Sequence, residues 1–140
     1  MTKRLVRVGI VLGIGVAGMA CATFAAPPLP QEVKTIQGEV VDPALYLREG
    51  RHGPSVESLI YDAVDGGQAL ALLEEGTNAL YLFLASEPGA DPNELIYEYA
   101  GRKIKVTGAI YERGGLKGIV VGTVAPLEAP ARRMPQDVEP

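Results

Sequence analysis

The stretch KIKVTGAIYERGGLKGIVVGTV, residues 103–124, decides the fold, because it has the pattern of two β-strands joined by a tight turn. In residues 103–111, isoleucine and valine alternate with lysine and threonine, as in a strand that buries one face. Residues 112–115, Glu-Arg-Gly-Gly, are typical of a turn, and residues 116–124 return as a second apolar strand. The sequence therefore predicts a β-hairpin near the end of the folded region.

Three further strands are predicted upstream of this hairpin. Residues 33–41 are rich in β-branched side chains, and Gly38 in their middle indicates a bulge or a sharp coil of the strand. Residues 68–73 and 79–85 are short apolar runs. The polar residues 74–78 between them predict that these two strands form a second hairpin.

Two helices are predicted between the strands. Residues 54–64 have Gly53 or Ser55 as a cap, a proline in the first turn and one apolar stripe at helical spacing. The stripe consists of Val56, Leu59, Ile60, Ala63 and Val64. Residues 91–101 begin with an Asp91 cap followed by proline and end at a glycine, which predicts a second helix. Its expected buried face consists of Leu95, Ile96, Tyr99 and Ala100.

The order of these elements is strand, helical insert, strand, strand, helix, strand, strand. Five short strands with a helix between the third and the fourth predict a mainly β fold, a five-stranded OB-like barrel. The helix of residues 54–64 is then a helical insert between strands 1 and 2. The main alternative is an open antiparallel sheet with two helices on one face.

Residues 1–25 have the features of an export segment. Basic residues precede a run of 19 uncharged residues, 8–26, that ends in small side chains, which is typical of a secretory signal. The run is also just long enough to remain as a membrane anchor. Lipidation of Cys21 is a third alternative, although the preceding residues lack the usual leucine of a lipobox. We therefore expect an exported protein.

The remainder of the 140-residue chain is enough for one small domain. We predict a proline-rich linker at residues 26–32, an OB-like domain at residues 33–127 and a disordered tail at residues 128–140. Removal of residues 1–25 leaves 10 basic against 17 acidic residues, so the net charge changes from −4 to −7. This charge argues against nucleic acid and anionic lipid as partners.

Short glycine and apolar motifs are distributed along residues 37–124. They are Gly38-Glu39-Val40-Val41-Asp42, Tyr46, Gly50, Gly53-Pro54, Gly67, Leu70–Leu73, Leu80-Tyr81 and Val106-Thr107-Gly108. Together they resemble a group of small exported bacterial proteins that are predicted to be OB-like and are mostly uncharacterised. The resemblance implies a location in the periplasm or cell envelope.

In that group, a cysteine and a helical set of one histidine and two cysteines typically occupy four positions, suited to a soft metal ion or a cofactor attachment. The matching positions here are Leu45, Val56, Leu59 and Ala63, all apolar. We expect these side chains to pack the helix against the barrel, with no metal and no cofactor. The other interpretation is that this stripe has always been part of the core.

The candidate binding residues lie in a polar segment bounded by glycines. His52 is the single histidine of the chain, and Arg48 and Arg51 can bind a carboxylate or phosphate, although Glu49 partly cancels their charge. Tyr46 precedes them in the same segment. We predict Arg48, Arg51, His52 and Tyr46 as binding residues, and the alternative is a solvated loop without a ligand.

We predict no catalytic centre, because the serines lack a Gly-x-Ser-x-Gly context and one histidine is the only candidate base. The expected function is that of a non-catalytic exported module that binds or supports other components of the cell envelope. Its binding face would be the barrel mouth formed by the loop 45–53, the turn 74–78 and the loop 86–91. The partner would be an unidentified protein or small molecule, with membrane contact only through an uncleaved N-terminal segment. The alternative is a metal- or cofactor-linked envelope protein related to the cysteine- and histidine-containing group.

Overall fold

All five strands predicted from the sequence are present in the computed structural model, which describes residues 31–128. The strands are β1 (Glu32–Val41), β2 (Ala71–Glu74), β3 (Leu80–Phe83), β4 (Lys103–Arg113) and β5 (Leu116–Pro126). The α-helices are α1 (Pro43–Glu49) and α2 (Glu57–Asp65), and short 3₁₀ helices lie at Pro54–Val56 and Tyr97–Tyr99.

The strands close into a barrel in the order β1-β2-β3-β5-β4, with β4 paired to β1. Neighbouring strands are antiparallel except β3 and β5, which run parallel. This is the predicted OB-like barrel, and the alternative of an open sheet is wrong. Both predicted hairpins, β2–β3 and β4–β5, are confirmed. The helical insert between β1 and β2 is also confirmed, and it contains both α-helices.

β1 closes the barrel because it pairs with two different strands. Its residues 32–39 pair with β4, and its residues 38–41 pair with β2. At Gly38, where the two partners overlap, a Cβ atom would lie 2.3 Å from the carbonyl oxygen of Leu73. Only a residue without a side chain permits this approach, so Gly38 allows β1 to coil from one partner to the other.

The barrel interior is filled by apolar side chains that alternate along the strands. The main buried cluster consists of Ile36, Val40, Leu45, Val56, Ile60, Leu70, Leu72, Tyr81, Phe83, Ile96, Ala100, Ile104, Val106 and Ile119. A smaller cluster of Val41, Ala71 and Leu73 lies on the other face of β1 and β2, and Tyr46 of α1 packs against it. The helical insert therefore contributes side chains to both faces of the sheet.

The segment after β1 is largely helical, so the loop predicted for residues 45–53 is wrong over its first half. The Asp42 carboxylate accepts hydrogen bonds from the backbone N–H groups of Ala44 at 3.0 Å and Leu45 at 3.2 Å. Gly50 ends α1 in the left-handed conformation with a φ of 67°. A helix of seven residues is too short to show an apolar repeat, so only its caps could have indicated it.

The helix predicted at residues 54–64 is present as a 3₁₀ helix followed by α2, but its apolar stripe is only partly buried. Val56 and Ile60 are buried and Ala63 is half-buried, whereas Leu59 is 39% exposed, so its predicted core position is wrong. Val56 is the N-cap of α2, with a non-helical φ of −113°. The α-helix therefore begins at Glu57, and Val56 and Leu59 are not spaced as in one continuous helix.

The helix predicted at residues 91–101 is wrong, because this segment forms turns and one short 3₁₀ helix. The predicted Asp91 cap is therefore wrong as well, although its Oδ1 accepts from the backbone N–H of Asn93 at 2.8 Å at the start of the turns. The buried Asn93 side chain then bonds to a distant segment. Its Oδ1 accepts from the N–H of Leu70 at 2.9 Å, and its Nδ2 donates to the carbonyl of Gln68 at 3.0 Å. The expected buried face is confirmed at Ile96 and Ala100, partly so at Tyr99, and wrong at Leu95, which is 53% exposed.

The predictions for the two ends of the chain lie outside the described residues. They concern the export segment 1–25 with Cys21, nearly all of the linker 26–32 and nearly all of the tail 128–140. Within the part of the chain that the structure describes, no helix has the length and apolar character that crossing a bilayer requires.

Substitution Gly38→Ala should destabilise the barrel by about 1–3 kcal/mol, because the new methyl group collides with the β2 backbone at the closure point. Gly66→Ala is the matched control. Its φ is −79° and the nearest atom to an added Cβ is at 3.4 Å, so we expect a change within about 0.5 kcal/mol. Urea denaturation followed by circular dichroism gives the free energy of unfolding of both variants. Equal losses in the two variants would contradict the close approach of Gly38 to the β2 backbone.

Truncation of two adjacent side chains of α2 to alanine should lower the free energy of unfolding by very different amounts. Ile60 has no exposed surface, so Ile60→Ala should cost about 2–5 kcal/mol of unfolding free energy. Leu59→Ala, at a position 39% exposed, should cost less than about 1 kcal/mol. Chemical denaturation measures the free energy of unfolding of both variants. A larger loss of this free energy for Leu59→Ala would show that Leu59 belongs to the buried stripe expected from the sequence.

Candidate functional site

His52 contacts a carboxylate of the barrel wall. It lies between α1 and the 3₁₀ helix that precedes α2, and its Nδ1 is 3.1 Å and 3.2 Å from the two carboxylate oxygens of Glu39. The Glu39 side chain on β1 is only 13% exposed, whereas that of His52 is 43% exposed. The imidazole therefore lies over a nearly buried carboxylate and remains accessible from solvent.

Tyr46 is the second predicted binding residue that the structure places here. Its ring meets the His52 ring edge-on, with centroids 5.7 Å apart and an interplanar angle of 74°. Tyr46 is half-buried on α1, packed against the smaller apolar cluster of β1 and β2. The helix thus provides a fixed aromatic surface against which the imidazole rests.

Arg48 and Arg51 are placed differently from His52 and Tyr46. Both guanidinium groups contact the same carboxylate, that of Glu49, at 3.8 Å for Arg48 and 3.3 Å for Arg51. All three side chains are largely exposed. Glu49 therefore competes with any external anion for these two arginines, and neither arginine lines the groove described next.

His52 and Glu39 belong to a groove of about 150 Å³ on the outside of the barrel, which we call the Glu39 groove. Its lining residues are Gly38, Glu39, His52, Leu73, Glu74, Glu75, Gly76, Asn78 and Lys103. The strand register explains the assembly, because Glu39 of β1 is the pairing partner of both Leu73 on β2 and Lys103 on β4. The groove therefore lies at the point where β1 is shared between its two neighbours.

The predicted barrel mouth is only partly present as one surface. His52 and the turn 74–78 come together in the Glu39 groove, as expected. The loop 86–91 instead lines a second, smaller groove of about 70 Å³, with Leu95 and residues of β5. The two grooves share no lining residue, because the loop after β3 leaves the barrel beside β5 rather than beside β1.

The charges of the Glu39 groove are arranged in pairs. The Lys103 ammonium donates to Glu75 at 3.0 Å, and the Thr77 hydroxyl donates to Glu74. The hydrogen bond to Glu75, and then the negative charge of Glu75, raise the pKa of Lys103 above its ordinary value of 10.5. The lining contains three glutamates against one lysine and one histidine. Each of the three glutamates thus has a partner within the protein, but carboxylates outnumber cations, so the groove has a negative charge that attracts a positively charged group.

Glu39 and Lys103 were not predicted as site residues. Glu39 was visible only as part of a strand motif, and Lys103 only as one of the polar residues that alternate along β4. A carboxylate within a strand next to a glycine is a weak signal, because most such residues face solvent. What distinguishes Glu39 is its low exposure and its contact with His52, which lies 13 positions away.

The four positions that match the metal-ligand set of the resembling group are not gathered on one surface. Leu45 and Val56 are buried, Ala63 is half-buried and Leu59 is exposed. The expectation that they form one core face is therefore wrong at Leu59. Residues 31–128 contain no group of three or more His, Cys, Asp or Glu side chains positioned to hold a metal ion.

Comparisons of the chain with protein-family models, with curated proteins and with solved structures found no match. We therefore infer the function of the protein from the geometry and charge of the site.

The Lys103–Glu75 pair should be detectable by titration. Glu75→Gln removes the partner that raises the pKa, so the Lys103 ammonium should lose its proton at a lower pH than in the unchanged protein. The adjacent Glu74→Gln is the matched control and should leave this titration unchanged. The measurement is the ¹³Cε chemical shift of Lys103 between pH 8 and pH 12.

Because the pKa of Lys103 is raised on folding, the pair stabilises the fold at pH values below the pKa of an unfolded lysine. This stabilisation is lost as the pH rises through the higher pKa of the folded protein. An identical Lys103 titration in Glu75→Gln and in the unchanged protein would show that the pair does not form in solution.

Proposed function

We propose that this protein is a non-catalytic binding module of the bacterial cell envelope, and that the Glu39 groove is its ligand site. The export features of residues 1–25 support the location, and the resemblance to small exported bacterial proteins supports it further. The OB-like barrel supports a binding role, since barrels of this type commonly bind ligands between the loops that join their strands.

The observation that carries the proposal is the convergence of polar side chains from separate elements on one concave surface. β1 contributes Glu39, β4 contributes Lys103, and the insert contributes His52. The end of β2 and the turn that follows it contribute two glutamates and Asn78. A few polar groups that converge in a concavity are typical of a ligand site, because they fix the orientation of a bound group.

The dimensions and charge of the groove indicate the class of ligand. About 150 Å³ is less than the roughly 300–1,000 Å³ of sites for drug-sized molecules, so it suits a single side chain or a small fragment. Three glutamates against one lysine favour a cation. The bound group is therefore an ammonium or guanidinium, from a basic peptide side chain or a small amine.

No covalent step is part of this proposal. The His52 imidazole is hydrogen-bonded to the Glu39 carboxylate and contacts the Tyr46 ring edge-on. The other polar side chains of the groove are carboxylates, an amide and an ammonium. These groups recognise charge by ion pairs and hydrogen bonds. Binding by these groups requires no further reactant.

The proposal predicts that the ¹⁵N-labelled protein, prepared in its exported form, binds a positively charged probe and not a negatively charged one. Titration with N-acetyl-L-arginine amide should shift the backbone amide resonances of residues 38–39, 52, 74–78 and 103. Glu39→Gln should weaken this binding about 10- to 100-fold, which corresponds to the loss of one charge-assisted hydrogen bond of about 1.5–3 kcal/mol. Glu94→Gln, which alters the second groove, is the matched control and should not change it.

N-acetyl-L-glutamate amide is the probe of opposite charge in the same experiment. It should produce no shifts in the Glu39 groove, because the groove contains more carboxylates than cations. Equal binding of the two probes, or arginine-probe shifts confined to the second groove, would contradict the proposed site.

A further inference from the structure

We infer that the segment Gly50–Gly53, which carries His52, is a pH-dependent gate over Glu39. Protonated His52 binds the Glu39 carboxylate, and neutral His52 leaves the carboxylate accessible to a cationic ligand. This inference rests on the proposed function and describes how that same groove is regulated.

The first observation is the position of the imidazole relative to the carboxylate. Nδ1 of His52 lies within 3.2 Å of both oxygens of Glu39. A cation that binds Glu39 must therefore displace the imidazole from the face that it covers. In the imidazolium form, His52 is itself the bound cation, and its attraction to Glu39 is an ion pair. In the neutral form the charge attraction is lost, and a single hydrogen bond to Glu39 and the edge-on contact with the Tyr46 ring remain.

The second observation is the weak attachment of the segment that carries His52. Within residues 31–128, the backbone N–H groups of Arg51 and His52 form no hydrogen bond. Gly50 and Gly53 on either side have φ values of 67° and 94°, a region that glycine enters without strain. Gly50 donates to the carbonyl of Tyr46 and Gly53 is buried, so both ends of the segment are fixed. Between them His52 contacts Glu39 and the Tyr46 ring, and of these two contacts the one with Glu39 depends on the charge of the imidazole.

The third observation concerns the charged groups that surround the contact between His52 and Glu39. The titratable and charged groups around His52 and Glu39 are Tyr46 of α1, Glu49 and Arg51 beside the segment, Glu74 and Glu75 of the turn, and Lys103 of β4. Histidine is the side chain whose ordinary charge change falls between pH 5 and 8. The gate therefore depends on the charge of His52.

The gate predicts that ligand affinity rises with pH. When only a fraction of the molecules has an accessible site, the apparent affinity falls by that fraction. Binding of N-acetyl-L-arginine amide should therefore be about tenfold tighter at pH 8.0 than at pH 5.5. Calorimetric titration of the exported protein measures this ratio.

Two variants distinguish the gate from a general effect of pH. His52→Gln keeps a hydrogen-bond donor for Glu39, but the glutamine side chain does not titrate. The affinity of this variant for the arginine probe should therefore be the same at both pH values. Arg113→Gln removes a positive charge at the far end of β4 and should retain the tenfold ratio. A ratio of one in the unchanged protein, or a tenfold ratio in His52→Gln, would overturn the gate while leaving the binding site intact.

The motion of the segment provides a readout that does not require a ligand. ¹⁵N relaxation at Arg51 and His52 should show greater mobility at pH 8.0 than at pH 5.5 in the unchanged protein, and no such difference in His52→Gln. If the arginine probe does not bind at either pH, the proposed cation-binding function fails. The relaxation data then decide the gate alone: pH-dependent mobility that His52→Gln abolishes supports it, and mobility independent of pH rejects it.

Discussion

The closure of the barrel through β1 is the constraint on which the rest of the structure depends. One strand of ten residues must pair with β4 along its first part and with β2 along its last part. The strand must coil steeply where the two pairings overlap, and Gly38 makes this possible because the β2 backbone occupies the space of a side chain. Without this approach, β2 and β4 could not both pair with β1, and the apolar interior would be open to water.

The candidate site is a consequence of the same closure. The residue after Gly38 is Glu39, which pairs with β2 and β4 at once, so its side chain lies beside Lys103 and beneath the turn 74–78. Gly38 itself lines the groove beside Glu39. The helical insert begins immediately after β1 and returns His52 to the same place, with Tyr46 packed on the barrel wall to support it. Geometry that closes the barrel thus also gathers the charges of the groove.

Much of the fold follows from local patterns in the sequence. The strands, both hairpin turns and the insert were predictable because alternation, glycine turns and apolar spacing act within a few residues of one another. The two failures among the helices have different physical origins. Asn93 forms hydrogen bonds with the segment just before β2 instead of supporting a helix, so tertiary bonds outweighed the local helical propensity there. At Val56 the non-helical φ interrupts the apolar repeat before Leu59.

The sequence by itself determined the succession of strands along the chain, the loop that carries His52 and the excess of acidic residues, since each is a property of composition or of neighbours along the chain. Only the tertiary structure decided which carboxylate meets the imidazole and which lysine meets the turn. Those pairs join residues 13 and 28 positions apart, and their distance depends on strand register and on the path of the insert. Register is set by the simultaneous burial of many apolar side chains, so no short stretch of the chain encodes it.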